Sequence, residues 1–189
     1  LLLIIACGSR DVVPAKPAPN GPNAPEPIPD RAVPPVIAPH SGLITRVAIT
    51  DAGDAALTAD IVGETRLWPT LDGTREPVIV RAAAARQLAL GRHQQQLVGA
   101  ILDAAGGVVL LRFDASGALL GRDSLPFDVP AEQVAIIGGV VLVHRSDHSI
   151  AGYDVRGRPR GQLVPDAGQR IASIAVRGPA AAAALADVQ

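Results

Sequence analysis

His144, Asp147 and His148 form the densest group of ligand-type side chains in the sequence. Two imidazoles and a carboxylate this close together offer three donors to a divalent metal, provided a hairpin folds them onto one side. The competing task for Asp147 is structural, because an Asp at a turn accepts hydrogen bonds from the backbone N–H groups just after it and leaves nearby histidines in solvent. Asp51-Ala52-Gly53-Asp54 and Asp72-Gly73 raise the same choice. A calcium loop needs oxygens in fixed alternation, whereas these pairs stand where hairpins want Asp and Gly. Ser146 near His148 lacks the strained elbow of a serine nucleophile, and no Gly-x-Ser-x-Gly occurs. Gly106-Gly107 and Gly138-Gly139 precede apolar runs with no Lys-Ser/Thr behind them, so they read as hairpin turns rather than phosphate loops. His93 and the three glutamines that follow it read as an exposed turn. No catalytic group converges and no cofactor is implied, so the segment reads as non-enzymatic.

The remaining reactive side chain is Cys7, the one cysteine in 189 residues. Its solitude excludes an internal disulfide framework and any multi-cysteine metal site. Leu1 to Cys7 is apolar and uncharged, too short to span a membrane but suited to the end of an export signal. The chain contains no Met, so its true start is expected upstream of Leu1. Ile4-Ile5-Ala6-Cys7 resembles a bacterial lipobox, with an aliphatic residue three before the thiol and a small residue beside it. That resemblance implies cleavage before Cys7, acylation there, and a lipid anchor in the cell envelope; Gly8-Ser9 in place of an Asp signal favours the outer membrane. Residues 8–40 read as a disordered tether, because ten of the seventeen prolines fall between Arg10 and His40. Proline at that density removes backbone donors and blocks both helix and sheet. A proline-rich ligand for an SH3-like partner would want flanking basic residues, and only Lys16 and Arg31 are present.

Residues 41–189 must supply the folded domain. Aromatic residues are 2% of the chain and the net charge is −1, so base-stacking platforms and a basic footprint for nucleic acid are both missing. From Leu43 onward short apolar runs alternate with period two between Gly, Asp and Pro, which predicts an all-β fold. Trp68, Phe113 and Tyr153 each precede a polar turn with Gly and are spaced 45 and 40 residues apart. A second marker recurs as Val47/Ile49, Leu88/Leu90, Val134/Ile136 and Ile174/Val176, at spacings of 41, 46 and 40. Two markers sharing one period predict blades of a β-propeller, each a four-stranded antiparallel sheet.

The first unit resembles a WD-repeat blade. His40 stands at that family's His, Val47-Ala48-Ile49 reads as the first strand, Asp51 to Asp54 as a turn, Ala56 to Ala59 as the second strand, and Thr65 to Trp68 as the third. Pro39 replaces the family's Gly, Pro69 its final Asp, and Val62 its turn Asp, so the family's hydrogen-bonded tetrad is not expected to form fully. In the third unit Asp147 falls on the turn Asp, and Tyr153-Asp154 stands for Trp-Asp; in the second, Phe113-Asp114 does. The fourth unit starts at Arg170 and is expected to break off after its second strand, giving about three and a half blades of a larger ring. Propensity alone would make its Ala180 to Asp187 run an Ala-rich helix, but the phase match of Ile174 and Val176 predicts a strand. The resemblance implies a protein-binding or scaffolding domain with an unidentified protein or peptide partner. The rival class is an envelope enzyme, quinoprotein-like or propeller-capped hydrolase, with its catalytic residues outside this segment.

Overall fold

The computed structural model describes residues 40–177 and 180–187. Cys7 and the tether up to Pro39 lie outside them. Fourteen strands are present among the described residues and no helix. The first blade runs β1 (Ile44–Ile49), β2 (Ala56–Asp60), β3 (Glu64–Trp68) and β4 (Val78–Arg81). The second runs β5 (Ala85–His93), β6 (Gln96–Asp103), β7 (Val108–Phe113) and β8 (Leu119–Ser124). The third runs β9 (Ala131–Ile137), β10 (Val140–Arg145), β11 (Ile150–Asp154) and β12 (Pro159–Leu163). β13 (Gln169–Arg177) and β14 (Ala180–Asp187) pair as a two-stranded sheet. Every sheet is antiparallel and follows chain order, as hairpins joined end to end must be. The Ala-rich run is therefore a strand: pairing with β13 along its whole length outweighs alanine's helix preference, which is only a weak bias.

The first strands β1, β5, β9 and β13 neighbour one another in sequence, and the outermost strand of the third blade, β12, is exposed at every residue. Apolar side chains fill the spaces between blades. One core joins Leu57 and Leu67 of the first blade to Leu90, Leu97, Leu111 and Phe113 of the second. Another joins Val98 and Leu110 of the second blade to Val134, Val143 and Tyr153 of the third. β6 serves both cores and is buried from Leu97 to Leu102, as expected for a strand covered on both faces. This is the propeller arrangement, with four-stranded blades packed face to face.

Each first strand carries a β-bulge at the same place. Thr45, Arg86, Glu132 and Ala172 each lie between two residues that pair with consecutive partners, as where Ala85 faces Asp103 and Gln87 faces Leu102. A bulge adds local twist and turns the next side chain out of the ladder. That side chain then reaches the following blade. The Gln87 amide donates to the Val134 carbonyl at 3.1 Å and accepts its N–H at 3.0 Å, and Gln133 accepts the Ile174 N–H at 2.8 Å. At the equivalent place in the first blade, Arg46 donates to the Arg86 carbonyl at 2.6 Å. The bulges thus aim polar side chains that tie each inner strand to the next.

Candidate functional site

The first blade assembles a chain of polar side chains across three elements. Trp68 Nε1–H on β3 donates to Thr58 Oγ1 on β2 at 2.8 Å, and Thr58 Oγ1 meets His40 Nε2 at 2.6 Å. His40 Nδ1 lies 3.4 Å from Asp60 Oδ2. The neutral His40 tautomer protonated at Nδ1 fits every link, its Nδ1–H donating to the Asp60 carboxylate and its Nε2 accepting the Thr58 hydroxyl. The tetrad expected to be broken by Val62 therefore forms in full, and that expectation is corrected. Asp60 comes from the end of β2 instead of from the turn position. Its Oδ1 accepts the N–H groups of Val62 and Glu64 at 3.1 and 2.8 Å, and Oδ2 accepts that of Gly42 at 3.2 Å. Burial pushes the Asp60 carboxyl up, but the Glu64 amide, His40 and the Gly42 amide outweigh it and hold the group below the usual carboxylate range.

Glu64 completes the only triad of close metal-type ligands among the described residues, His40, Asp60 and Glu64. The donor set does not suit a cation. Both His40 nitrogens are engaged within the tetrad, Asp60 accepts backbone amides on both oxygens, and Glu64 is paired with the Arg66 guanidinium. The cluster is a structural lock.

His144, Asp147 and His148 are brought near one another without converging on a point. His144 is only 1% exposed, which corrects the expectation of a solvent-exposed turn histidine. Its Nε2 donates to the Ile171 carbonyl at 2.8 Å, so the covering comes from the fourth sheet. Its Nδ1 has no hydrogen-bond partner and stands 3.6 Å from Glu132 Oε2. Asp147 Oδ1 accepts the Ser149 N–H at 3.0 Å and also bonds the Ser149 hydroxyl. Burial raises the Asp147 carboxyl, while the Ser149 hydroxyl and amide and the Arg145 charge lower it to a net depression. The weak metal candidate thus resolves into a turn cap beside a buried inter-blade histidine.

The same five-residue turn recurs after Asp60, Asp103, Asp114 and Asp154. Each carboxylate caps the amides two and four residues on, and Gly63, Gly106, Gly117 or Gly157 sits at positive φ between them. Asp154 also binds Arg158 Nε at 2.7 Å; burial raises its carboxyl, but the Arg158 and Arg156 amides and the Arg158 guanidinium bring it down to about 2. In the Asp147 turn the positive φ, 63°, falls on His148. A side chain there costs free energy that glycine avoids. His148→Gly is therefore expected to stabilise the domain by about 0.5–1 kcal/mol, read as a higher urea midpoint at unchanged slope. A lower midpoint would show that the imidazole makes contacts that outweigh the strain.

Phe113 and Tyr153 occupy the place of Trp68 on the third strands of their blades, but neither builds a tetrad. Thr58 lies two residues beyond Trp68's partner Ala56, and the same offset falls on Gly99 in the second blade and Val143 in the third. Phe113, whose ring has no N–H or O–H, is anchored by packing alone and is fully buried. Tyr153 packs edge-on against Phe127, with ring centroids 5.9 Å apart, and burial pushes its phenol up.

One cleft of about 620 Å³ opens between hairpin tips of the second and third blades. His93 and Gln94 come from the β5–β6 tip, Gly139 from the β9–β10 tip, Arg156 and Arg158 from the β11–β12 turn, and Arg160 from the start of β12. The tips interlock, since a Cβ on Gly139 would stand 2.0 Å from His93 Nδ1. His93 and Gln94 stand at the hairpin turn expected from the sequence, whereas the arginines were not expected beside it. Their signal was alternation: three arginines at every second position on a chain of balanced charge.

No family model matches the chain, and no curated protein sequence matches it. Solved structures do. The chain is similar to Prp20p from Saccharomyces cerevisiae, with a TM-score of 0.58 and 11% identity over 77% of this chain and 44% of that one. It is similar to BBS1N, solved in complex with ARL6DN, with a TM-score of 0.54 and 13% identity over 78% and 50%. Human WBSCR16 gives a TM-score of 0.53 and 15% identity over 73% and 44%. These likenesses show the fold, a β-propeller. The chain spans half or less of the length of these structures.

Proposed function

We propose that this chain is the propeller of a lipid-anchored bacterial envelope protein, of WD-repeat type, acting as a protein-binding scaffold. The observation that carries the scaffold reading is how its polar side chains are used. His40, Asp60, Asp114, Asp147 and Asp154 all serve caps, locks and inter-strand bonds, so what the domain offers a partner is surface. The Trp68–Thr58–His40–Asp60 chain supports the WD-type reading, because it joins the residue types that family uses. The report on Prp20p concerns its binding to Gsp1p and histones, and BBS1N was crystallised with ARL6DN; both support a role in holding proteins. The anchor rests on the Ile4-Ile5-Ala6-Cys7 motif.

Two measurements test the two halves. Metabolic labelling with a radiolabelled fatty acid should mark the wild-type protein and leave Cys7→Ala unlabelled, with the variant released from the membrane fraction. Label in neither removes the anchor. Photo-crosslinkers placed at the exposed positions Gln95 and Val164 should yield a discrete protein adduct in cells from at least one site. Irradiation that leaves every position unadducted overturns the scaffold.

A further inference from the structure

The cleft between the second and third blades carries an inference that rests on the scaffold reading and specifies its partner. Three arginines and His93 face it, against the one carboxylate of Asp154, on a chain whose net charge is −1. Positive charge is therefore concentrated here. Arg158 is spent on Asp154, to which it is bonded at 2.7 Å. Arg156 and Arg160 are exposed and form no ion pair with a carboxylate among the described residues. Guanidinium groups present a planar fork of donors that matches carboxylates in pairs.

The rest of the lining points to the form in which those carboxylates arrive. Gln94 and Gln96 offer side-chain amides that both donate and accept, the complement of a peptide backbone, and Val140 and Val155 add apolar surface. The arginines are exposed, and an exposed ion pair is individually weak, so a lone small anion gains little here. An extended chain with several carboxylates adds such contacts together. A cleft of about 620 Å³ accommodates a few residues of such a chain. We propose that this cleft binds an acidic segment of a partner protein, its Asp or Glu side chains pairing with Arg156 and Arg160. His93 and Gly139 act as positioning residues. Gly139 lets the imidazole lie on the backbone of the neighbouring tip, which fixes the wall of the cleft facing the arginines.

The test is fluorescence anisotropy with the full chain and a fluorescein-labelled peptide alternating Glu and Ser. Its Gln-for-Glu counterpart and inorganic phosphate serve as comparisons. The Glu peptide is expected to bind about tenfold or more tightly than the Gln peptide, and to weaken steeply with added salt. Arg156→Ala with Arg160→Ala should abolish that difference, while Arg75→Ala, a guanidinium on the first blade, should preserve it. Gly139→Ala should weaken binding through the cleft wall, and urea unfolding of each variant separates this from loss of fold. Equal binding of both peptides, or Glu-peptide binding that survives the double substitution, overturns the proposal. Phosphate competing at the same concentration as the peptide would overturn it in favour of a small-anion site. If the Glu peptide fails while crosslinks from Gln95 or Val164 persist, the cleft assignment falls and the scaffold stands; failure of both removes both.

Discussion

Phe113→Ala is expected to destabilise the domain by about 3–5 kcal/mol. The ring is fully buried and lies in a core built from both blades, Leu57 and Leu67 coming from the first and Leu97 and Leu111 from the second. Removing it opens a cavity that neither sheet can close, since each is held by its own ladder of backbone bonds. The repeat explains why the loss is large. Where Trp68 has both a packing face and a hydrogen bond to Thr58, Phe113 has packing only, since a phenyl ring has no N–H to donate, and Gly99 at the place of Thr58 leaves room for the Leu57 side chain of the first blade. Phe113→Leu keeps most of the volume and should cost under about 1.5 kcal/mol. Urea unfolding followed by circular dichroism measures both, and because the core is shared, one cooperative transition should shift. A cost for Phe113→Ala no larger than that for Phe113→Leu would show that the ring is not the inter-blade anchor.

The period was the most legible property of the sequence. Val47/Ile49, Leu88/Leu90, Val134/Ile136 and Ile174/Val176 all fall on first strands, and the bulges at Thr45, Arg86, Glu132 and Ala172 repeat at the same spacings. Side-chain alternation is a local consequence of strand geometry, so it survives in a single sequence. What stayed hidden was what depends on another blade. His144 looked like a surface turn because its cover, the Ile171 carbonyl, lies 27 residues away. Gln87 bonds the backbone of Val134, 47 residues away, and no local pattern marks that pairing. Asp60 was missed for a different reason. Residue counting places the turn carboxylate at Val62, whereas β2 ends on Asp60 paired with Ile44 at the start of β1, and this register sets its carboxylate beside His40. Hydrogen bonds depend on distance, and the register between two strands, which counting along one of them does not carry, decides which position satisfies it.

That displaced tetrad makes a sharp prediction at its centre. Thr58→Val keeps the size and branching of the side chain and removes only the hydroxyl, which receives the Trp68 N–H at 2.8 Å and lies 2.6 Å from His40 Nε2. Valine suits a strand at least as well as threonine, so strand propensity works against any loss. The loss must then come from the two partners left unpaired, and is expected to be about 2–3 kcal/mol. Thr58→Ser retains the hydroxyl and gives up a methyl group, for about 1 kcal/mol. The order of the two variants is the test, since hydrophobic burial alone would favour valine and a hydrogen-bonded lock favours serine. The indole supplies an independent readout, because Trp68 is the one tryptophan in the chain. Its emission should change in Thr58→Val at urea concentrations where the circular dichroism is still native, as the ring loses its fixed partner ahead of global unfolding. In the second and third blades the equivalent positions are Gly99 and Val143, so no hydroxyl can substitute there, and the effect belongs to the first blade alone. If Thr58→Val proves as stable as the wild type, the Trp68–Thr58–His40–Asp60 chain is a geometric coincidence, and the WD-type reading loses its main structural support.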